Sequence, residues 1–129
     1  MKTILVDAIH ALVIKDEGIY EEMHEMLEEY PNRKIILTGA NDEQMEMFGL
    51  HKMPYEVFTL KHDPEKVDPD YYTSMLQKFS LEAGDVIYFE HDEDAVKSAE
   101  SVGIKTFHYD QDKKDLVALK DFLDENLGN

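Results

Sequence analysis

Short apolar runs alternate with segments whose apolar residues recur every three or four positions, and this alternation continues along the whole chain. Residues 2–6, with the apolar core Ile4-Leu5-Val6, read as a buried strand that delivers Asp7 at its C-terminal tip. Residues 11–19 carry Lys15-Asp16-Glu17-Gly18 at their centre, which predicts a small hairpin or irregular excursion around a glycine turn. Ile19, Met23, Met26, Leu27 and Tyr30 then fall on one helical face, and Pro31-Asn32 stops that helix. A second strand is predicted over 34–37, ending at Thr38-Gly39. Asn41 or Asp42 can cap a short helix through Phe48, with Gly49 as its stop.

The second half repeats the scheme. A weaker strand over 55–60 leads into a polar loop over 61–68. Asp68-Pro69 opens a helix, with Asp at the N-cap and Pro at the first helical position, whose apolar face is Tyr72, Met75, Leu76 and Phe79. Residues 86–89 form a fourth strand, and Ala95, Val96, Ala99 and Val102 mark a helix closed by Gly103. A fifth strand follows over 104–108, and Leu116, Leu119, Leu123 and Leu127 give a C-terminal helix. Five strands alternating with helices predict an α/β fold: three Rossmann-like layers, with a five-stranded, mainly parallel sheet and helices on both faces. Ligands in such sheets bind beyond the C-terminal strand ends. Asp7, Thr38, Glu90 and His91 are the polar residues expected there.

Composition narrows the picture. The 129 residues suit a single domain over 1–129, with no linker or repeat. The formal charge of −16 repels phosphate backbones and anionic membranes, which argues against nucleic acid and membrane surfaces as partners. No apolar run approaches a membrane span, and the N-terminal residues lack the pattern of a signal peptide. The absence of cysteine excludes thiolate metal sites and thiol nucleophiles, and fits a reducing, cytoplasmic setting.

Taken in chain order, the strand tips resemble the haloacid dehalogenase (HAD) superfamily. Its phosphatases begin with an apolar strand followed by D-x-D-G-T-L, and here the segment is Asp7-Ala8-Ile9-His10-Ala11-Leu12. The strand, the first Asp and the Leu match; the second Asp, the Gly and the Thr do not. A strand ending in Thr matches at Ile35-Ile36-Leu37-Thr38-Gly39. The K-P-D-P-x-x-Y segment matches at Lys66-Val67-Asp68-Pro69-Asp70-Tyr71-Tyr72, with Val67 for the first Pro. The apolar strand with acidic residues after it matches at Val86 to Phe89 followed by Glu90, His91, Asp92 and Asp94.

The resemblance implies a hydrolase that acts on a phosphate ester with the aid of magnesium. Asp7 would be the nucleophile, forming an aspartyl-phosphate. Thr38 and Lys66 would clamp the phosphoryl oxygens. Asp7, the backbone carbonyl of Ile9 and the Glu90 carboxylate would hold the metal, with Asp94 a second candidate ligand one helical turn on. The expected substrate is a phosphorylated small molecule or protein, and a protein partner is compatible with the open site. About 30 residues separate the Asp7 and Thr38 segments, and fewer than 30 separate Thr38 from Lys66. That spacing leaves no room for a large cap domain, which implies a capless core.

The departures bear on turnover. The missing second Asp protonates the leaving group and activates water in these phosphatases, help typically worth ~10²–10⁴-fold. Ile9 cannot supply it. Glu in place of Asp at position 90 lengthens the carboxylate by one methylene, and His10 stands where a glycine is expected in the turn. A weakly active or altered hydrolase and an inactive binding or regulatory module therefore both remain open. A receiver-type phosphoacceptor domain fits less well, because the third strand ends in Leu60-Lys61 rather than at an Asp. His10 and His91 read as packing or solvent-facing residues, and the remaining four histidines suggest no common site.

Overall fold

The computed structural model describes residues 1–127. Its sheet contains five strands: β1 (Thr3–Asp7), β4 (Lys34–Thr38), β5 (Glu56–Thr59), β6 (Val86–Glu90) and β7 (Lys105–His108). Their order across the sheet is β5-β4-β1-β6-β7, and every neighbouring pair is parallel. The expected mainly parallel sheet is thus parallel throughout its five strands. The chain winds from β1 outward through β4 and β5, then returns to the other side of β1 for β6 and β7. This reversal lies at β1, the central strand.

Side-chain alternation along these strands separates two cores. Ile4, Val6, Ile36, Ile87 and Phe89 face one side, where Met23, Met26 and Leu27 of α1 (Glu21–Glu28) and Leu119 and Leu123 of α5 (Leu116–Asn126) cover them. Leu5, Ile35, Leu37, Val86 and Tyr88 face the other side, against Tyr71, Tyr72 and Met75 of α3 (Pro69–Lys78) and Ala99 of α4 (Glu93–Ser101). A strand buried on both faces has no polar alternation, which is why residues 4–6 are continuously apolar. The layers are those expected from the sequence.

Local signals decide most boundaries. Asn41 and Gln44 form a reciprocal capping box at the start of α2 (Asp42–Met47). Asp68 caps α3 by accepting from the Asp70 N–H, with Pro69 in the first turn. Asp92 caps α4, accepting from the N–H groups of Asp94 and Ala95.

Two details differ from expectation. Ile19 does not begin α1; it lies in β3 (Gly18–Ile19), which pairs antiparallel with β2 (Val13–Ile14) as a small separate hairpin. Tyr20 holds an extended N-cap conformation, with its N–H on the Leu12 carbonyl, so the helix starts after it. Tyr30 lies beyond the end of α1 but still packs into the core. In both cases the apolar spacing reported the shared buried face and not the extent of the helix. Among the described residues, no helix is long and apolar enough to cross a membrane.

Candidate functional site

Strand register brings the polar tips together. In the β1–β4 ladder Asp7 lies opposite Leu37, which places Thr38 one residue beyond it. In the β1–β6 ladder Val6 lies opposite Phe89, so Asp7 and Glu90 are level at the C-terminal edge. The loop after β5 carries Lys66 over this edge. The result is a cleft of about 180 Å³ whose walls include Asp7, Ile9, Thr38, Lys66, Glu90 and His91. Four of the residues expected on sequence grounds, from four separate segments, therefore line one cleft together with Ile9. Asp94 does not: it is exposed in the first turn of α4 and is not part of the cleft wall.

The turn after β1 keeps its tight form without the glycine. His10 takes φ +73°, in the left-handed region, at a cost of roughly 1–2 kcal/mol for a residue with a Cβ. The N–H groups of Ala11 and Val13 bond the Ala8 carbonyl, and that of Leu12 bonds the Asp7 carbonyl, which together hold the turn closed.

The centre of the cleft is a network of two carboxylates and two cationic side chains. Asp7 and Glu90 are both buried. Lys66 Nζ lies 2.9 Å from Asp7 Oδ1 and 2.8 Å from Glu90 Oε1. On the other side, His91 Nδ1 lies 2.5 Å from Asp7 Oδ2 and 3.2 Å from Glu90 Oε2. The His91 backbone N–H also donates to Asp7 Oδ2, and the Asp92 N–H donates to Glu90 Oε2, both at 3.0 Å. The Tyr88 hydroxyl donates to Glu90 Oε1 in a short bond.

This arrangement displaces the proton equilibria. Burial and the neighbouring Glu90 charge push the Asp7 carboxyl above its usual range, against the pull of Lys66 and His91. Burial acts on Glu90 in the same direction, but Lys66 and the hydrogen bonds from His91, Lys66 and Tyr88 overcome it and hold Glu90 below the usual range. Burial would lower the His91 imidazolium; its hydrogen bonds and charge contacts with Asp7 and Glu90 instead raise it to about 10. Lys66 is likewise raised, because both carboxylates outweigh its desolvation. Two acidic and two basic side chains thus act on one another's proton equilibria across the cleft.

Sequence reading underestimated three residues. His91 is an integral member of the network rather than packing, with its carbonyl accepting from His108 Nε2 at 2.9 Å and its ring edge-on to His10 at 5.2 Å between centroids. Its position directly after a strand-tip carboxylate was the available signal. Tyr88 stands two residues before Glu90, hence on the same strand face. The Tyr71 hydroxyl donates to the Thr38 carbonyl at 2.7 Å and to the Phe58 carbonyl at 3.2 Å, tying the tips of β4 and β5. Nothing in the sequence spacing announces that tie. His62 also reaches the cleft, with its ring nitrogens on Gln44 and Glu65.

The donor set does not fit magnesium as it stands. Among the described residues, Asp7, Glu90 and His91 are the ones close enough together to offer a metal one ligand atom each. Magnesium prefers oxygen ligands in an octahedron and seldom takes imidazole. Here the third donor is a nitrogen, and all four carboxylate oxygens already accept hydrogen bonds from Lys66, His91, Tyr88 or Asp92.

Comparison with solved structures assigns the fold. The chain superposes on a HAD family enzyme from Bacteroides thetaiotaomicron with a TM-score of 0.75 at 12% identity, covering 92% of this chain and 98% of that one. The wild-type form of the same enzyme, complexed with magnesium and inorganic phosphate, gives a TM-score of 0.66 at 12% identity, over 84% and 93% of the two chains. A conserved haloacid dehalogenase-like protein of unknown function from Agrobacterium tumefaciens gives 0.61 at 15% identity, over 83% of this chain and 62% of that one. No protein-family model matches the sequence, and no curated protein matches it significantly. The chain has the HAD-like α/β fold.

Proposed function

We propose that this protein is a capless HAD-like hydrolase directed at a phosphate ester, with turnover impaired by Ile9. The observation that carries this reading is the convergence of Asp7, Thr38, Lys66 and Glu90 on one cleft at the C-terminal edge of a parallel sheet. Asp7 is the nucleophile: a carboxylate oxygen attacks phosphorus, and the bond to the leaving oxygen breaks as the aspartyl-phosphate forms. Lys66 transfers part of its pairing from Asp7 and Glu90 to the phosphoryl oxygens, where it offsets developing charge. Thr38 presents its hydroxyl to the same group. Its Oγ1 accepts from the Ala40 N–H at 3.2 Å, which leaves the hydroxyl proton to donate.

Tyr71 is a positioning residue, since it fixes the Thr38 carbonyl and thereby the β4 tip. Ile9 lines the cleft where the acid–base carboxylate is expected, and it can neither protonate a leaving alkoxide nor activate water. Magnesium, when bound in this fold, neutralises the nucleophile and the phosphoryl group; its presence in the Bacteroides complex supports it as a cofactor. The occupied oxygens of Asp7 and Glu90 weigh against it in this chain, so the roles above rest on side chains alone. The short hairpin between β1 and α1, with only α2 and a single 3-10 turn between β4 and β5, supports the capless reading. An uncovered cleft suits a phosphorylated protein or a small phosphate ester, and leaves room for a protein partner over the site.

A second reading, a non-hydrolytic binding or regulatory module, is favoured by the hydrogen bonds that hold both Asp7 oxygens. The assay that separates the two is hydrolysis of an aryl phosphate, with and without magnesium, by wild type, Asp7→Asn and Ile9→Asp. Slow wild-type turnover that disappears in Asp7→Asn and rises ~10²-fold or more in Ile9→Asp is the expected result. No turnover in any of the three favours the binding module.

A further inference from the structure

We infer that Lys66 and His91 together occupy the electrostatic role of a divalent cation in this cleft, so that the Asp7–Glu90 pair is a metal-independent site. Two buried carboxylates side by side need positive charge, and a bound metal is one way to supply it. In this chain the charge is built in. Lys66 bridges one oxygen of each carboxylate, at 2.9 and 2.8 Å, and His91 Nδ1 faces the other oxygen of each, at 2.5 and 3.2 Å. Hydrogen bonds take up further acceptor capacity: Tyr88 and the Asp92 N–H donate to Glu90, and the His91 N–H donates to Asp7.

His91 cannot easily move aside for an ion. Its N–H is held by Asp7, its carbonyl by His108, and its ring edge packs on His10. Its side chain is only 20% exposed. Magnesium would have to displace two cations, lose its own tightly held water and accept an imidazole neighbour. The Bacteroides enzyme of similar fold holds magnesium with phosphate, so the fold admits the ion, and the inference concerns this chain's own side chains. It goes beyond the proposed hydrolase, and its test reads binding rather than turnover. An absence of phosphatase activity therefore leaves it untouched.

The test is thermal unfolding of the full chain in EDTA and in magnesium chloride at matched ionic strength, for wild type, Asp7→Asn and His91→Asp. The −16 surface gives every variant some non-specific response to a divalent ion. Wild type and Asp7→Asn are expected to show the same magnesium-induced change in Tm, because the ion meets only that surface. His91→Asp, which removes one cation and adds a carboxylate, is expected to gain a larger rise. A wild-type response that exceeds that of Asp7→Asn overturns the inference, and this comparison decides the matter alone if His91→Asp does not fold. A folded His91→Asp whose response matches wild type also overturns it, since His91 would then not be what excludes the ion.

Discussion

Replacing Lys66 with methionine removes the cation while retaining most of the stem volume, and the structure sets a large penalty. The ammonium group lies within 2.9 Å of both Asp7 and Glu90, whose side chains are 1% exposed, and is itself only 15% exposed. Methionine fills most of the space that the lysine leaves, which restricts the water the two carboxylates can regain. Deleting one partner of a buried ion pair costs about 3–5 kcal/mol. His91 still faces both carboxylates, so the lower end applies, about 3 kcal/mol. With a urea m-value of about 1–3 kcal/mol/M for a small domain, the midpoint should fall by ~1–3 M. Lys61→Met is the control: its pair with Asp42, at 3.1 Å, is 58% and 81% exposed, and such pairs contribute little. Adding Glu90→Gln to Lys66→Met should recover part of the loss, because the amide removes one of the unpaired charges. A Lys66→Met midpoint within error of Lys61→Met would refute the view that a buried charge network organises the cleft.

Two further outcomes follow from the same geometry. The His91 imidazolium is raised from 6.5 to about 10 in the folded protein, so its stabilisation is fully present below pH 6.5 and is lost as pH rises towards 10. Urea unfolding of wild type should therefore show stability falling, on the order of 2–3 kcal/mol, between pH 7 and 9, while His91→Gln falls much less over that window, which lies below the titration of the tyrosines; equal slopes would contradict the assignment. Tyr71→Phe leaves the Thr38 and Phe58 carbonyls without their buried donor and should cost about 1–3 kcal/mol. Faster amide exchange at the tips of β4 and β5 checks where that cost falls.

The sheet and its two covering layers were legible because long-range order here follows from local pattern. Continuous apolar runs such as Ile4-Leu5-Val6 have one stable solution in a domain of this size, burial on both faces between helices. Capping groups at Asn41, Asp68 and Asp92 are chemical signals readable from adjacent residues. The site was partly legible for the same reason: Asp7, Thr38 and Glu90 end apolar runs, and parallel strands deliver their tips to one edge. Boundaries such as Ile19 and Tyr30 misled because burial extends past the end of a helix.

His91, Tyr88 and Tyr71 show where local pattern stops. A histidine after a glutamate is compatible with solvent, packing or an ion pair, and only the register of β1 against β6 puts its ring beside Asp7. Lys66 is 59 residues from Asp7 in sequence, yet their ion pair and its pairing with Glu90 define the charge state of the cleft. The sequence alone determined which elements form and which strand tips carry polar groups, since hydrophobic period and capping chemistry act between near neighbours. Tertiary structure alone decided which charges meet and which of them lose water. Electrostatic energies depend on burial and separation in space, and neither is written in the spacing of residues along the chain.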